Sequence, residues 1–337
     1  MRTVLITGTA GFIGFHLAQL MLDEGFRVVG YDAMTDYYDV QLKRRRHQQL
    51  LQNRHFSCTE GYLEDYDTLA RVCDDAKPDV IVHLAGQAGV RYSLENPRSY
   101  MESNVMGTFN VLECARIHAV AHLLMASTSS VYGANTDMPF QEVHRTDTPL
   151  TLYAATKRAN EHMGHSYAHL WKIPITMFRF FTVYGPWGRP DLALFKFVKA
   201  GLNGDSIDVY NNGQMARDFT YVADLVRGIR LLVDVPPQEP ASPDDIAAGD
   251  SLSPVAPFRV VNIGNGTKVP LMDFIKAIED ALGIPLKKNF MAMQKGDVHE
   301  TWADNGLLTQ LTGYTPQTDV AEGIRQFVAW YREYYDK

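Results

Sequence analysis

Cysteine, positive charge and long apolar segments are all scarce in this sequence. Its three cysteines, Cys58, Cys73 and Cys114, show neither paired nor metal-ligand spacing, so the sequence offers no disulfide framework and no cysteine metal site. No apolar run reaches the length of a membrane span. The formal net charge is −7 at pH 7, which argues against nucleic acid as a partner. An anionic ligand would have to be held by local arginines, because the overall field repels it.

The length and the first residues favour a cytoplasmic enzyme. A chain of 337 residues is long enough for one large domain or two smaller ones. The N-terminus enters an apolar strand pattern at once and leaves no room for a signal peptide. We therefore expect a cytoplasmic protein without a membrane partner.

The first 14 residues show the pattern of a strand, a glycine turn and a helix. The apolar run from Val4 to Ile6 suits a buried parallel strand, and glycines follow at positions 8, 11 and 14. We expect Gly8 to permit the turn, Gly11 to let the backbone approach a pyrophosphate and Gly14 to let the helix pack closely. The spacing is G-x-x-G-x-x-G, which differs from the commoner dehydrogenase spacing G-x-G-x-x-G.

Asp32 follows the second predicted strand, Arg27–Tyr31. An acid at this place, about 20 residues after the turn, suits the ribose hydroxyls of NAD. The same carboxylate would repel the 2′-phosphate of NADP. The sequence therefore predicts NAD as the cofactor, whereas the turn alone could be a glycine-rich loop without a ligand.

Strands and helices alternate through the first half of the chain. The strand candidates are Val4–Thr7, Arg27–Tyr31, His55–Thr59, Asp79–Leu84, Leu123–Ser127 and Ile175–Arg179. The helix candidates lie near residues 12–24, 39–52, 66–76, 98–117 and 151–171. This alternation predicts an α/β fold, a Rossmann-type doubly wound parallel sheet. Ligands of such sheets bind beyond the C-terminal strand ends, where we expect one crevice formed by Gly8, Asp32, Ala85, Thr128 and Thr182.

The second half is less regular. We assign residues 1–180 to a NAD-binding domain and residues 181–337 mainly to a smaller C-terminal substrate-binding lobe, with segments near 217–233 and 258–266 returning to the first domain. The stretch from 235 to 257 is rich in Pro, Ser, Ala and Asp, which predicts a surface loop and not a domain boundary. A strand is predicted at 258–263, and helices at 270–282 and 319–334.

Tyr153 and Lys157 lie one helical turn apart, in Tyr-Ala-Ala-Thr-Lys, so both side chains project from one face. A phenol with a pKa of about 10 is a poor base at neutral pH, and a nearby ammonium group favours the phenolate. Lowering the pKa to about 7 needs roughly 4 kcal/mol. A desolvated lysine and a cationic cofactor could supply this together. Taken alone, such a pair is more often an ordinary surface feature.

Four longer motifs add a family resemblance. They are Thr35-Asp-Tyr-Tyr-Asp39, Ala88-Gly-Val-Arg-Tyr-Ser93, Ser127-Thr-Ser-Ser-Val-Tyr-Gly133 and Arg179-Phe-Phe-Thr-Val-Tyr-Gly-Pro-Trp-Gly-Arg-Pro-Asp191. With the glycine turn and the Tyr153/Lys157 pair, the chain resembles the extended short-chain dehydrogenase/reductase family. Within that family it is similar to the nucleotide-sugar epimerases, and most of all to the UDP-glucuronate 4-epimerases. The resemblance runs nearly end to end.

The resemblance implies catalytic roles for three residues. Tyr153 would take the proton from the sugar 4-hydroxyl, Lys157 would hold the nicotinamide ribose and lower the pKa of Tyr153, and Thr128 would hydrogen-bond O4. Hydride would pass from C4 to NAD, and the 4-keto sugar would turn about its diphosphate link and take hydride back on its other face. Since no net redox change results, NAD should stay bound.

Further cofactor contacts carry over by motif. The resemblance implies that the NAD site is completed by Phe12, Ile13, Leu63, Ala85, Gly86 and Asn104. An equally good interpretation of Asn104 is a helix-internal side chain that orients backbone.

For the nucleotide half of a UDP-sugar, the resemblance implies that Arg217 clamps the diphosphate, Tyr210 lies beside uracil and Asp297 lies near the uridine ribose. A bidentate guanidinium suits the diphosphate; the alternative for Arg217 is a surface salt bridge. Galactose-type epimerases have Arg-Pro where this chain has Gln294-Lys295, so one phosphate contact is expected to differ.

Ser130 distinguishes an epimerase from a decarboxylase. A 4-keto glucuronate is a β-keto acid that loses CO₂ readily, and related decarboxylases carry Glu at this position of the Ser-Thr-Ser motif. A glutamate would repel the substrate carboxylate, whereas hydroxyls of Ser129, Ser130 and Thr182 would donate hydrogen bonds to it. We expect Arg189 to hold the carboxylate or the diphosphate end. Arg91 is a weaker candidate, for which a structural role on its loop is equally good.

The sequence leaves alternatives open. They are a UDP-glucose/galactose-type 4-epimerase, a UDP-glucuronate decarboxylase or dehydratase, which Ser130 disfavours, and a non-enzymatic NAD-binding regulator, which the complete Thr128/Tyr153/Lys157 set disfavours. His162, His165 and His169 fall at helical spacing, but this chemistry needs no metal and we predict none. The resemblance also implies a homodimer through the helices near 98–117 and 151–171.

Overall fold

Thirteen strands are formed by residues 1–294 and 296–337, which the computed structural model describes. In chain order they are β1 (Thr3–Thr7), β2 (Arg27–Asp32), β3 (Phe56–Glu60), β4 (Val80–His83), β5 (His122–Thr128), β6 (Ile175–Phe180), β7 (Thr182–Tyr184), β8 (Ser206–Val209), β9 (Ala216–Tyr221), β10 (Phe258–Ile263), β11 (Lys268–Pro270), β12 (Lys287–Phe290) and β13 (Glu300–Thr301). The altered phosphate contact expected at Gln294-Lys295 involves Lys295, which lies outside the described residues.

Seven parallel strands form the central sheet, in the order β10-β6-β5-β4-β1-β2-β3. The order 3-2-1-4-5-6 within it is that of a doubly wound dinucleotide-binding sheet, so the predicted fold class is confirmed. Every residue of β1, β4, β5 and β6 is buried, as expected for strands covered on both faces. The six strand candidates are confirmed, with ends that differ by one residue or not at all.

Helices cover both faces of this sheet. Along the described chain they are α1 (Phe12–Asp23), α2 (Val40–Leu50), α3 (Tyr66–Ala76), α4 (Tyr92–Glu95), α5 (Pro97–Ser99), α6 (Gly107–Ile117), α7 (Leu152–Trp171), α8 (Ala193–Asn203), α9 (Val222–Leu232), α10 (Leu271–Leu282), α11 (Gly306–Thr312) and α12 (Val320–Tyr335). One apolar core joins α1, α9 and α11 to the sheet. The core on the other face joins α3, α6 and α7 to it.

The prediction of one continuous α-helix at 98–117 is wrong in detail, because the segment contains a π-helix. A π-helix, Tyr100–Met106, lies between α5 and α6. Such wider turns occur mostly at functional sites, and this one carries the buried Asn104.

A smaller four-stranded sheet, a two-stranded sheet and a third apolar core form the C-terminal part. Strand β9 pairs with β7, β11 and β13, and β8 pairs with β12. Helices α8, α10 and α12 pack on these strands through a core in which the rings of Phe219 and Phe274 stack with centroids 3.9 Å apart. Of the later segments expected to return to the first domain, α9 packs against α1 and β10 joins the large sheet, whereas β9 belongs to the small sheet.

The predicted loop from 235 to 257 contains one short 3₁₀ turn, Pro243–Asp245. It runs beside the edge strand β10, where the Ser251 hydroxyl donates to the Val260 carbonyl and accepts from the Val260 amide. This pairing covers a sheet edge that would otherwise be open to other chains. Among the described residues, no helix is both long and apolar enough to cross a membrane.

Candidate active site

The residues expected at the strand ends do converge. Gly8, Asp32 and Ala85 line one cavity of about 350 Å³, and Thr128 and Thr182 line a second of about 800 Å³. Both volumes fit sites for small molecules, which span about 300–1,000 Å³. The two cavities share part of their walls, including Phe12, Ile13, Tyr153, Phe180 and Arg189. Tyr153 therefore lies at their junction.

The glycine turn of the first cavity has no room for side chains. Gly8 has a φ of +84°, and a Cβ there would lie 2.9 Å from the Ala85 nitrogen. A Cβ at Gly14 would lie 2.1 Å from the Gly8 carbonyl oxygen, and one at Gly11 would lie 2.9 Å from the same atom. The three glycines thus keep the turn tight and place its backbone at the N-terminus of α1, where a phosphate group binds favourably.

Asp32 is held at the edge of the first cavity by two backbone amides. Its carboxylate accepts hydrogen bonds from Ala10 and Met34, each at 2.9 Å. These bonds leave further acceptor positions for ribose hydroxyls. Lys43, which sequence reasoning missed, also lines this cavity. Its ammonium donates to the carbonyl and hydroxyl of Thr35, and burial lowers its pKa.

The remaining cofactor candidates divide into two groups. Phe12, Ile13, Leu63, Ala85 and Gly86 line the first cavity. Asn104 lies behind it instead. Its amide oxygen accepts from the Gln87 amide at 2.7 Å, and its amide nitrogen donates to the Gln87 carbonyl at 3.0 Å. The side chain of Asn104 therefore orients the backbone of Gln87, which agrees with one of the two interpretations given above.

Tyr153 and Lys157 project from the first turns of α7. This helix begins at a Thr151 cap, whose hydroxyl accepts from the Ala154 amide at 3.2 Å. The Lys157 ammonium donates to the Ala126 carbonyl at 3.0 Å, and burial lowers the pKa of Lys157 to about 8. Both residues line the first cavity, and Tyr153 lines the second as well.

Burial raises the pKa of Tyr153, and this effect is opposed by the Thr128 hydroxyl and by the charge of Arg189. Lys157 was expected to lower the pKa of Tyr153. In the protein without a cofactor it does not, because its ammonium donates to the Ala126 carbonyl. A phenolate at neutral pH would therefore need further positive charge beside Tyr153.

A turn rich in hydroxyls forms one wall of the second cavity. Thr128 ends β5 and caps the 3₁₀ turn Ser129–Tyr132, accepting from the Ser130 amide at 3.2 Å. The Tyr132 hydroxyl donates to the Asn262 side chain at 2.7 Å, and its ring stacks on Phe140 at 4.2 Å. This anchoring fixes the turn at the wall of the cavity, to which Thr128, Ser129, Ser130 and Thr182 contribute.

A buried ion pair supports this turn from behind. Glu161 and Arg179 form two hydrogen bonds, of 2.8 and 3.0 Å, with both side chains about 2% exposed or less. Glu161 also accepts from Ser127, the residue before the catalytic candidate Thr128, at 2.6 Å. Sequence reasoning missed this support, because neither periodicity nor spacing indicates which charged side chains pair inside a core.

The arginines predicted at the substrate occupy three different environments. Arg189 donates twice to Asp191, at 2.9 and 2.7 Å, and lines both cavities. Arg217 lines the second cavity, where its guanidinium donates to the carbonyls of Val298 and His299. The surface salt bridge considered for Arg217 is thus wrong: the side chain joins β9 to the segment before β13.

Arg91 joins two residues predicted at the nucleotide. Its guanidinium lies 4.6 Å above the Tyr210 ring and 3.2 Å from the Asp297 carboxylate. Asp297 lines the second cavity, whereas Arg91 and Tyr210 lie outside its wall. These three residues link the loop after β4 to the C-terminal part.

The histidine row on α7 contacts the 235–257 loop. His165 hydrogen-bonds the Ser253 hydroxyl at 2.8 Å, and His169 hydrogen-bonds the Val255 carbonyl at 2.7 Å. Over residues 1–294 and 296–337, no group of three or more His, Cys, Asp or Glu side chains is arranged to hold a metal ion.

Glu142 gives the fold a pH-dependent stability. Burial raises its pKa to about 7, against opposing effects of the Asn262 amide and Arg179 and with Asp304 adding to the rise. At pH 8 the carboxyl is ionised in both the folded and the unfolded chain, and the folded state bears the full cost of burial. Below pH 7 the folded chain takes up a proton that the unfolded chain takes up only near 4.5, so this cost of roughly 3 kcal/mol shrinks steadily as the pH falls from 7 toward 4.5.

We expect Glu142→Gln to be more stable than the wild type at pH 8 and about equally stable near pH 5. Glutamine keeps an acceptor for the Asn262 amide, which donates to Glu142 at 2.8 Å, but carries no charge. Thermal unfolding of both proteins across this range measures the difference. A stability difference that does not change with pH would contradict the assignment.

Comparison with known proteins places the chain in a family. Residues 4–249 match the model of the NAD dependent epimerase/dehydratase family, which is well over half of the 337 residues. The chain belongs to that family. Membership agrees with the order of the strands and with the glycine turn.

The similarity to individual members covers nearly the whole chain. A protein of Rhizobium meliloti named "Probable UDP-glucuronate 4-epimerase" is 56% identical, over 98% of this chain and 97% of its own. UDP-glucuronate 4-epimerase 6 of Arabidopsis thaliana is 44% identical, over 99% of this chain and 72% of its own. The crystal structure of UDP-glucuronic acid 4-epimerase from Bacillus cereus, with UDP-glucuronic acid and NAD, is 31% identical and superposes with a TM-score of 0.88, covering 99% of this chain and all of that one.

The first cavity fits the cofactor of this family. A dinucleotide needs a backbone cradle for its pyrophosphate and an acceptor for its ribose, and the glycine turn and Asp32 provide them. A Cβ at Gly86 would lie 2.8 Å from the Asn104 amide oxygen and 3.5 Å from the Lys157 ammonium. The glycine therefore keeps open the approach to Lys157.

Proposed function

We propose that this protein is an NAD-dependent epimerase that interconverts UDP-glucuronate and UDP-galacturonate. The observation that carries the proposal is the wall of the second cavity beside Tyr153, where Thr128, Ser129 and Ser130 supply hydroxyls and Arg189, which is also bonded to Asp191, supplies a guanidinium. This lining suits a sugar with a carboxylate. The names of the Rhizobium meliloti and Bacillus cereus relatives support the same activity.

The proton chemistry belongs to Tyr153. With the sugar in the second cavity and its C4 at the junction, the phenolate accepts the proton of the 4-hydroxyl and later returns a proton to O4. Thr128 holds O4 by a hydrogen bond, and Lys157 holds the nicotinamide ribose. Bound NAD accepts hydride from C4 and gives it back, so the 4-keto sugar is formed and consumed without leaving the cavity.

The carboxylate is kept by hydrogen bonding. The 4-keto uronic acid loses CO₂ when negative charge can leave its carboxylate for the ketone. Donors on the carboxylate stabilise its charged form and oppose that shift. We assign this work to the hydroxyls of Ser129, Ser130 and Thr182 and to the guanidinium of Arg189.

The uridine diphosphate lies toward the C-terminal part of the chain. Arg217 is placed to approach the diphosphate, with a guanidinium whose present partners are backbone carbonyls. Asp297 accepts from the uridine ribose, and Tyr210 supplies an aromatic face for uracil. Arg91 contacts both of these residues, so we assign it to holding them together.

Purified protein given UDP-glucuronate without added NAD should form UDP-galacturonate, because the cofactor stays bound and is regenerated in each cycle. Proton NMR of the reaction identifies the product. UDP-glucose given under the same conditions should turn over much more slowly, since it offers no carboxylate to the hydroxyl wall. Equal or faster turnover of UDP-glucose would support the neutral-hexose epimerase, and a UDP-pentose product would support the decarboxylase.

The proposed assembly is a cytoplasmic homodimer. Large apolar side chains lie exposed on the π-helix, α6 and α7, including Met101, Phe109, Ile117, Leu170 and Trp171. Large exposed apolar side chains on neighbouring helices are typical of a protein interface, and the same helices of a second copy would cover them.

We expect Phe109→Glu to yield a monomer in light scattering. The control is Ile284→Glu, at an apolar residue of similar exposure in the C-terminal part (41% for Phe109 and 38% for Ile284), which should leave the mass unchanged. A monomeric wild type would contradict the proposed assembly.

A further inference from the structure

The turn that presents Arg189 is built in an unusual backbone conformation. It runs from Gly185 to Arg189 in the sequence Gly-Pro-Trp-Gly-Arg, and Trp187 within it has a φ of +59°. Bulky aromatic residues rarely adopt a positive φ. Strained backbone of this kind persists only when the surroundings fix it, and it is concentrated at functional sites.

Side chains from three helices, α1, α2 and α12, hold this turn in place. Arg46 of α2 is fully buried and donates to the Trp187 carbonyl at 2.6 Å. His16 of α1 hydrogen-bonds the Pro186 carbonyl at 2.9 Å, and burial lowers its pKa to about 4, so its ring is neutral at pH 7. The Trp187 ring packs between the rings of Phe15 and Trp330, with centroids 5.6 and 5.3 Å away.

Arg46 also ties this turn to the cofactor turn. Its guanidinium donates to the Ala10 carbonyl at 2.7 Å, and the Ala10 amide is held by Asp32. Since one buried guanidinium bonds both segments, a shift of either would break a charge-assisted hydrogen bond. The cofactor turn and the turn of Arg189 are therefore held at a fixed distance.

Tyr37 supports the guanidinium of Arg189 through Asp191. Its hydroxyl donates to Asp191 at 3.3 Å, and the Asp191 carboxylate accepts from Nε and Nη2 of Arg189. The third nitrogen, Nη1, donates to no described residue in this structure. It is thus the nitrogen left for a ligand at the junction of the two cavities.

We propose that Tyr37 and Arg46 are positioning residues that make the site selective for a sugar carboxylate. Neither side chain lines the second cavity, where the sugar is placed, and Tyr37 lines the first. They hold the guanidinium of Arg189 in a position to bind a carboxylate on C5. A neutral hexose has no carboxylate and gains nothing from this contact. The inference rests on the proposed function, and it assigns to the Thr35–Asp39 motif a role in substrate choice.

The test compares the binding of two nucleotide sugars by calorimetry to Tyr37→Phe, which removes one hydroxyl and keeps the ring. We expect UDP-glucuronate to bind roughly tenfold more weakly and UDP-glucose to bind as it does to the wild type. The matched control is Tyr314→Phe, which removes a tyrosine–aspartate hydrogen bond of 2.8 Å to Asp224 on α9, remote from the cavities. An unchanged preference in Tyr37→Phe, or an equal loss for both sugars, would overturn the proposal.

Arg46→Lys gives an independent measurement. Lysine keeps the charge but lacks the fork that bonds Ala10 and Trp187 together, so we expect the same selective loss together with faster release of NAD. Wild-type selectivity and NAD retention would overturn the role of Arg46. Wild-type turnover of UDP-glucuronate is measured first: if it is absent the proposed function fails, while the binding preference of the variants still decides the positioning role.

Discussion

Replacing Tyr153 by Phe should lower kcat by about 10³-fold or more while NAD remains bound. The variant removes the only atom assigned to proton transfer at O4, and a positioned acid or base contributes about 10²–10⁴-fold. The loss of kcat should be at the upper end of this range or beyond it, because hydride cannot leave C4 while O4 keeps its proton. Turnover is measured by NMR, and retained NAD by its release on denaturation.

Tyr62→Phe is the control for this variant. Tyr62 is a second tyrosine of the cofactor cavity, 54% exposed, and loss of its hydroxyl should leave kcat within about twofold. If Tyr153→Phe kept near wild-type activity, another group would have to be the base. If it lost both activity and NAD, the defect would lie in the cofactor site and the assigned role would fail.

Ser130→Glu should convert the reaction from epimerisation toward loss of CO₂. The substituted carboxylate would face the sugar carboxylate across the second cavity, where like charges cost several kcal/mol. We expect the rate of UDP-galacturonate formation to fall by about 100-fold, with a UDP-pentose in the product mixture. Mass spectrometry of the nucleotide sugars measures both quantities.

Ser130→Gln separates charge from size, since glutamine matches glutamate in shape. It should slow epimerisation by crowding but produce no additional pentose. Equal pentose from both variants would mean that space, and not charge, protects the carboxylate. An unchanged rate of epimerisation in Ser130→Glu would mean that Ser130 does not contact the sugar carboxylate.

The large sheet was predictable because its strands are short apolar runs that end in chemically distinctive residues. β1 and β5 each precede a residue type with a recognisable role, and the alternation with helices leaves few possible topologies. The strands of the two smaller sheets were not predicted. β13 has two residues and β12 reads Lys-Lys-Asn-Phe, so neither carries an apolar pattern that differs from a loop.

The direct lining of the site was also largely predictable, whereas its support was not. Motif positions placed Asp32, Thr128 and Tyr153 around one crevice, and the structure has them in two adjoining cavities that share Tyr153. Arg46 lies in the run Lys-Arg-Arg-Arg, which is typical of a solvated helix face, yet this one arginine is fully buried. Only the packing of α2 determines which members of the run are buried, and these are Lys43 and Arg46.

The pKa of Tyr153 is a further property that sequence spacing does not determine. A lysine one turn away predicts a lowered pKa, but burial raises it and the lysine donates to the Ala126 carbonyl. Both effects depend on which backbone groups lie beside the helix. The base is therefore expected to be complete only in the protein that holds NAD.

The most direct test of the proposed epimerisation is whether the hydride removed from C4 returns to the same carbon. UDP-glucuronate labelled with deuterium at C4 is converted by the purified protein without added NAD, and the product is examined by NMR. We expect UDP-galacturonate that keeps the deuterium at C4, because the same bound cofactor removes and restores it. Galacturonate carrying ordinary hydrogen at C4, or a UDP-pentose with release of CO₂, would contradict it.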